Sequence, residues 1–236
     1  MNEVIKIEKL IKSYEERMII NSIDLTINKG EFICILGTSG CGKTTLLNII
    51  GGFLQKDHGK ITLKGTQITK PVTECVMVFQ ELDQLFPWMT LQQNIEFALK
   101  NSKQKYSKVE INELSSKYIQ MVKLQGFEKY YPNQLSGGMK QRTAIARALV
   151  TTPEVLLMDE PFGSLDVQTK KELQEILLSI WKQTKTTIVF VTHDVRESLK
   201  LADRIVIMKD TMINQIINNN DKCITEKKVE QITQLL

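Results

Sequence analysis

Hydrophobic residues fall into two kinds of run. Near the N-terminus they alternate with polar ones: Val4-Ile5-Lys6-Ile7 and Ser22-Ile23-Asp24-Leu25-Thr26-Ile27 have a period of two, and Lys60-Ile61-Thr62-Leu63 follows a turn at Asp57-His58-Gly59. Alternation predicts strands with one buried face, and so an antiparallel β portion. Elsewhere the apolar runs are continuous: Val76-Met77-Val78-Phe79, Val155-Leu156-Leu157-Met158, Ile188-Val189-Phe190-Val191 and Ile205-Val206-Ile207-Met208. A strand covered on both faces keeps no polar side, so these predict buried parallel strands. Between Leu91 and Leu149 the pattern is mostly helical, with Asn-, Lys- and Gln-rich interruptions, and reads as an insertion in the α/β core. Beyond Thr211 the chain turns polar and Asn-rich (Asn218-Asn219-Asn220), which predicts only a short tail.

Composition narrows the class. The 236 residues suit one α/β domain, or one with an inserted subdomain, and 42% hydrophobic with 25% charged residues is an ordinary globular balance. The apolar runs are far shorter than the ~20 residues needed to span a bilayer. The start Met1-Asn2-Glu3-Val4-Ile5-Lys6 has no basic, apolar leader pattern, so a cytoplasmic location is expected. A net charge of +4 would invite a nucleic-acid partner, but acids are interleaved with the bases. Lys100 to Lys117, the most basic stretch, also carries Glu110 and Glu113 and reads as an exposed, partly helical surface; no nucleic acid is expected. Cys34, Cys41, Cys75 and Cys223 lack metal-ligand spacing and read as free thiols.

The chemistry begins after Phe32-Ile33-Cys34-Ile35-Leu36. Residues 37 to 44 are Gly-Thr-Ser-Gly-Cys-Gly-Lys-Thr, followed by the helix-compatible Thr45-Leu46-Leu47-Asn48-Ile49-Ile50. Strand, glycine-rich turn and helix in this order make a phosphate-binding loop. Gly37, Gly40 and Gly42 let backbone N–H groups of Gly37, Thr38, Ser39, Gly40, Cys41, Gly42 and Thr45 cradle a polyphosphate at a helix N-terminus. Lys43 would reach the β- and γ-phosphates and Thr44 would ligate Mg²⁺. Cys41 inside the loop would make nucleotide binding sensitive to thiol reagents.

A second group is Val155-Leu156-Leu157-Met158-Asp159-Glu160, with two carboxylates at the end of a buried strand, where α/β sheets keep their ligands. Alternation sends successive strand side chains opposite ways, so the two acids are expected to have different jobs. Asp159 would hold the Mg²⁺ shell and Glu160 would polarise the attacking water.

Residues 135 to 142, Leu-Ser-Gly-Gly-Met-Lys-Gln-Arg, form another anion-binding helix start without a phosphate-loop lysine. Two half-sites in one chain suggest that a second copy completes each site. Here the chain resembles the ATP-binding cassette (ABC) ATPases, whose signature matches Leu135-Ser136-Gly137-Gly138-Met139. The resemblance covers nearly the whole chain. It implies ATP and Mg²⁺ as ligands, Tyr14 stacked on adenine, and Gln80 sensing Mg²⁺ and the attacking water. It further implies His193 on the γ-phosphate, Ser164-Leu165-Asp166 against the partner ATPase, and Ser136, Gly137 and Gly138 reaching the ATP of a second copy. The fold implied is a P-loop NTPase core with a parallel sheet and an antiparallel β subdomain (1–90 and 150–215), an inserted helical subdomain (91–149) and a tail (216–236).

The resemblance also implies a transmembrane permease as partner, received near the aromatic Phe86-Pro87-Trp88-Met89-Thr90, an external binding protein, and a place on the cytoplasmic face of the membrane. Met158 to Asp166 together with Thr192 to Ser198 resembles importers of nitrate, sulfonates and taurine. A non-transport ABC ATPase acting on ribosomes or DNA, an exporter subunit and a metabolite kinase remain as alternatives. The kinase would not need Leu135-Ser136-Gly137-Gly138-Met139 or His193.

Overall fold

The computed structural model describes residues 3–236, the side chain of Leu82 excepted; Met1 and Asn2, which open the segment read as having no leader, lie outside the described residues. Along the chain come β1 (Glu3–Tyr14), β2 (Arg17–Asn28), β3 (Phe32–Gly37), α1 (Lys43–Ile50), β4 (His58–Leu63), β5 (Thr66–Gln67) and β6 (Cys75–Val78). Then follow α2 (Leu91–Lys100), α3 (Lys108–Met121), α4 (Gly137–Leu149), β7 (Val155–Asp159), α5 (Val167–Thr184), β8 (Thr187–Thr192), α6 (Val195–Leu201), β9 (Arg204–Lys209), β10 (Met212–Asn218) and α7 (Glu226–Leu235).

Two sheets form. One is antiparallel, in the order β2-β1-β4-β5, and the other runs β10-β9-β3-β8-β7-β6, parallel except for β10. The four continuous apolar runs, with Phe32 to Leu36, form the five parallel strands, and their alternate residues serve opposite sides. Phe32, Cys34, Leu156, Met158, Ile188, Phe190, Ile205 and Ile207 join a core with α2 to α5. Ile33, Ile35, Val155, Leu157, Val189, Val191 and Val206 join another with α1 and the antiparallel sheet. Burying a side chain of this kind contributes about 1.5–3 kcal/mol, which explains why no polar residue interrupts these runs.

β1 is three times and β2 twice as long as the alternating runs Val4–Ile7 and Ser22–Ile27, because two bulges reverse the parity. Lys9 (φ 46°) and Ser22 (φ 50°) take left-handed backbone. Buried positions accordingly move from Ile5 and Ile7 to Leu10 in β1, and from Ile20 to Ile23 in β2. Asp24 Oδ1 accepts from the Lys9 N–H at 2.9 Å, tying one bulge to the opposite strand. The extension carries Tyr14 out to the hairpin tip, where it pairs with Arg17.

The polar C-terminal stretch is structured rather than a bare tail. β10 adds an antiparallel edge to β9, and α7 buries Ile232. Asn219, one of the residues that makes this stretch look like a tail, is buried and donates Nδ2 to the carbonyls of Leu199 and Ala202, both at 2.8 Å. It satisfies orphan acceptors at the end of α6, a role for which a short polar side chain is required. The 100–117 stretch is exposed loop followed by α3, whose Ser107 and Glu110 form a capping box.

Candidate functional site

The ends of four adjacent parallel strands supply the site. β3, β8, β7 and β6 are consecutive neighbours in the sheet, and Leu36 pairs with Thr192 while Asp159 pairs with Val191. Their C-terminal exits therefore bring together the glycine loop, His193, the acid pair and Gln80, at the edge where parallel sheets bind ligands.

Each group is held by local physics. Gly40 (φ 82°) and Gly42 (φ 101°) take left-handed backbone, and Gly42 opens α1. A Cβ on Gly42 would lie 2.6 Å from the Ile19 carbonyl oxygen, so only glycine fits there. Lys43, 5% exposed, curls over the loop and donates Nζ to the carbonyls of Gly37 and Thr38, each at 2.9 Å. Thr44 Oγ1 donates to Asp159 Oδ1 at 3.1 Å.

Strand alternation does not separate the two acids. β7 stops at Asp159, and Glu160 is left-handed (φ 40°), with its N–H on Val191 O at 3.0 Å and its carbonyl accepting from Gly163 at 3.0 Å. That turn, rather than a continued strand, brings Glu160 to the side on which Asp159 meets Thr44. Glu160 Oε1 lies 4.0 Å from Lys43 Nζ, and its Oε2 accepts from His193 Nδ1 at 2.9 Å.

The cleft over the loop has a volume of about 470 Å³. Tyr14, Ser39, Gly40, Gly42, Lys43, Thr44, Thr45, Gln80 and Glu160 line it, together with Arg17 and Ile19. Gly37, Thr38 and Cys41 belong to the loop beneath, and Asp159 and His193 reach the cleft through Thr44 and Glu160. Arg17 was not legible in the sequence; its place opposite Tyr14 in the hairpin is the signal that would have found it. Ser136, Gly137 and Gly138 do not line this cleft. Ser136 caps α4, accepting from Met139 N at 3.3 Å, and a Cβ on Gly138 would meet Thr169 Cγ2 at 2.4 Å, so this glycine also permits close packing of α4 on α5. Asp166 caps α5, accepting from Gln168 and Thr169 at 3.1 and 3.0 Å.

The thiols differ from expectation at Cys41. It is buried, and burial pushes its thiol up despite the nearby Lys43. Cys75 is pushed up to about 12 by burial, and Cys34 is raised by the same cause; Cys223 is exposed. Thiolate is the reactive form, so a neutral maleimide is expected to modify Cys223 at least ~100-fold faster than Cys41. Mass mapping of a time course checks this, and Cys41 labelling at the Cys223 rate would overturn it.

Comparison with known proteins agrees with this geometry. The ABC transporter family profile matches residues 20–163. The aliphatic sulfonates import ATP-binding protein SsuB of Bacillus cereus is 48% identical over 204 residues, covering 86% of this chain and 79% of that protein. The nitrate import ATP-binding protein NrtD of Synechococcus elongatus is 47% identical over 189 residues, covering 80% and 69%. Among solved structures, the dimeric post-hydrolysis state of the ATP-binding cassette MJ0796 bound to ADP and Pi superposes with a TM-score of 0.79 at 29% identity, covering 91% of this chain and 98% of that one. With its phosphate loop, its strand-end acids and these relatives, the chain belongs to the ABC transporter family and is an ATP-binding cassette ATPase.

Proposed function

We propose that this ATPase is the energy-coupling subunit of a membrane importer for a small anion of the sulfonate or nitrate kind, working as a homodimer with two ATP molecules between its copies. The observation that carries the reading is the convergence of Lys43, Thr44, Gln80 and Glu160 on one cleft, with Asp159 bound to Thr44 and His193 bound to Glu160.

In this reading the loop amides and the α1 N-terminus hold the phosphates, Lys43 neutralises β- and γ-oxygens, and Tyr14 stacks on the adenine. Glu160 orients and polarises the water, while the His193 ring that donates to it extends to the γ-phosphate. The hydroxyl of Thr44, the carboxylate of Asp159 and the amide oxygen of Gln80 are hard oxygen donors, the set that suits Mg²⁺. When bound, Mg²⁺ neutralises charge that builds on the phosphate oxygens.

Asp159 carries an imprint of that role. Burial, aided by the charge of Glu160, raises its carboxyl above the ordinary range, against the lowering effect of the Thr44 hydroxyl. A folded value above the unfolded one means that ionised Asp159 costs stability at neutral pH, a cost that fades as pH falls through the folded value. Asparagine keeps an acceptor for Thr44 without the charge. Asp159→Asn is therefore expected to raise Tm by about 2 °C, a modest gain because the Thr44 hydroxyl and the Lys43 charge offset part of the burial penalty. It should also weaken Mg²⁺-dependent hydrolysis. Calorimetry at pH 7 and pH 5 checks it; an unchanged or lower Tm at pH 7 would count against this account.

The half-site at Ser136 to Gly138 supports completion by a second copy, since it caps a helix far along the chain and stays off the cleft of its own chain. For the membrane partner, the support is a groove of about 540 Å³ between α2, α4 and β6, lined by Phe86, Phe97 and Arg147. Phe86 packs on Phe97 with ring centroids 4.6 Å apart, and Trp88 beside it is 69% exposed. Aromatic residues presented this way suit a docked helix. Among the described residues no helix is long and apolar enough to cross a membrane, so membrane attachment falls to the permease. An external binding protein would act through that permease.

The test is to purify tagged Glu160→Gln protein from gently solubilised membranes of its own host with Mg-ATP. Recovery of a polytopic permease is the expected result. Recovery of ribosomes or DNA instead would replace transport with the non-transport reading.

A further inference from the structure

β8 ends at Thr192, and His193 stands alone between that strand and Asp194, the cap of α6. The His193 side chain is 63% exposed, so few contacts set its direction. Apart from the bond to Glu160, its ring is aimed by the backbone of a short turn. One hydroxyl closes that turn. Thr192 Oγ1 accepts from the Asp194 N–H at 3.0 Å, which spans His193, and donates to Glu197 Oε2 at 2.6 Å.

Thr192 and Glu197 are both buried. Glu197 lies in the first turn of α6, where its own N–H donates to Asp194 Oδ1 at 3.2 Å. Its second oxygen, Oε1, meets the ammonium of Lys170 on α5 at 3.0 Å, and the same ammonium lies 4.0 Å from Asp194 Oδ2. A buried carboxylate gives up its hydration, and the ion pair returns little more than that loss. An apolar side chain would fill the space without the cost. What only an ionised acid supplies is direction, because it accepts hydrogen bonds and donates none. The Thr192 hydroxyl has one proton and rotates to suit its neighbours. With Glu197 taking that proton, the oxygen lone pairs are left for the Asp194 N–H, and both sides of His193 are fixed.

We infer that Glu197, acting through the Thr192 hydroxyl and balanced by Lys170, is the positioning residue that holds the His193 ring against Glu160. The inference rests on the role proposed for His193. Neither Glu197 nor Thr192 lines the phosphate-loop cleft, so their effect on hydrolysis passes through the turn.

Thr192→Val removes the hydroxyl at nearly constant volume, and Thr192→Ser keeps it. Glu197→Gln leaves one amide oxygen for two claimants, the Thr192 hydroxyl and Lys170. Thr192→Val and Glu197→Gln are each expected to lower kcat about tenfold with KM for Mg-ATP within about twofold, while Thr192→Ser stays within about twofold of the parent in both. The chain has two histidines, His58 and His193, so ring nitrogen NMR of histidine-labelled protein without nucleotide reads the turn directly. The His193 signals should shift in Thr192→Val and Glu197→Gln, and those of His58 should not. An unmoved His193 signal or parental kcat in either variant, once folded, would overturn the inference, as would a loss in Thr192→Ser equal to that in Thr192→Val. His193→Ala separates the two claims. Full activity there removes the role of His193, whereas an inactive His193→Ala beside a normal Thr192→Val removes only the part given to Glu197.

Discussion

Glu160→Gln is expected to hydrolyse ATP at least ~100-fold more slowly than the parent chain, the range set by losing a positioned base. Mg-ATP should still bind and should drive the protein from monomer to dimer. The substitution is nearly isosteric, and the amide oxygen can still accept from His193 Nδ1, as the carboxylate does at 2.9 Å. The Glu160–Gly163 turn is closed by backbone groups, so its left-handed conformation survives. What disappears is the negative charge 4.0 Å from Lys43 and the ability to polarise water. Removing that charge also relieves repulsion toward the γ-phosphate, which favours the closed, ATP-filled dimer. Light scattering and single-turnover hydrolysis read the two effects separately. A variant that stays monomeric in Mg-ATP at micromolar concentration would sink the sandwich, and one that hydrolyses at the parental rate would remove Glu160 from the chemistry.

Lys43→Ala should lower kcat/KM by about 10³-fold or more, because a preorganised charge in a half-enclosed site is worth several kcal/mol to a developing phosphate anion. Lys43 also holds its own loop, donating to Gly37 and Thr38. The variant therefore loses both a cation for the phosphates and the brace that shapes their cradle. Calorimetric ATP binding and circular dichroism distinguish a lost site from a lost fold. Retention of activity within about tenfold in a folded Lys43→Ala protein would contradict the assignment of the loop.

Both variants act on residues that are legible in the sequence alone. The loop Gly37 to Thr44 is a local motif whose spacing states its geometry, and the acids of Asp159-Glu160 announce themselves by ending an apolar run. The buried strands were equally plain because both of their faces are covered. The sequence pattern misleads where one backbone conformation reverses it. Lys9 and Ser22 bulge and shift the parity of β1 and β2, so the alternating runs cover only a third and a half of the two strands. Glu160 leaves the strand register and defeats the alternation argument. The pattern also misleads where a polar residue is buried by a distant part of the chain, as with Asn219 under the end of α6. Cys41 looked reactive in the loop and proves buried, because its thiol packs against the antiparallel sheet side of the core.

By itself, the sequence determined the pieces: a polyphosphate loop before a helix, two acids at a strand end, a signature turn, and which strands are covered on both faces. These are short-range properties, written in glycine spacing and apolar runs. Only the tertiary structure decided how the pieces meet. The hydrogen bond from Thr44 to Asp159 spans 115 positions, and it exists because β3 and β7 flank β8 in one parallel sheet. Strand order is set by how whole elements bury their faces together, a long-range choice that leaves no mark at any single position.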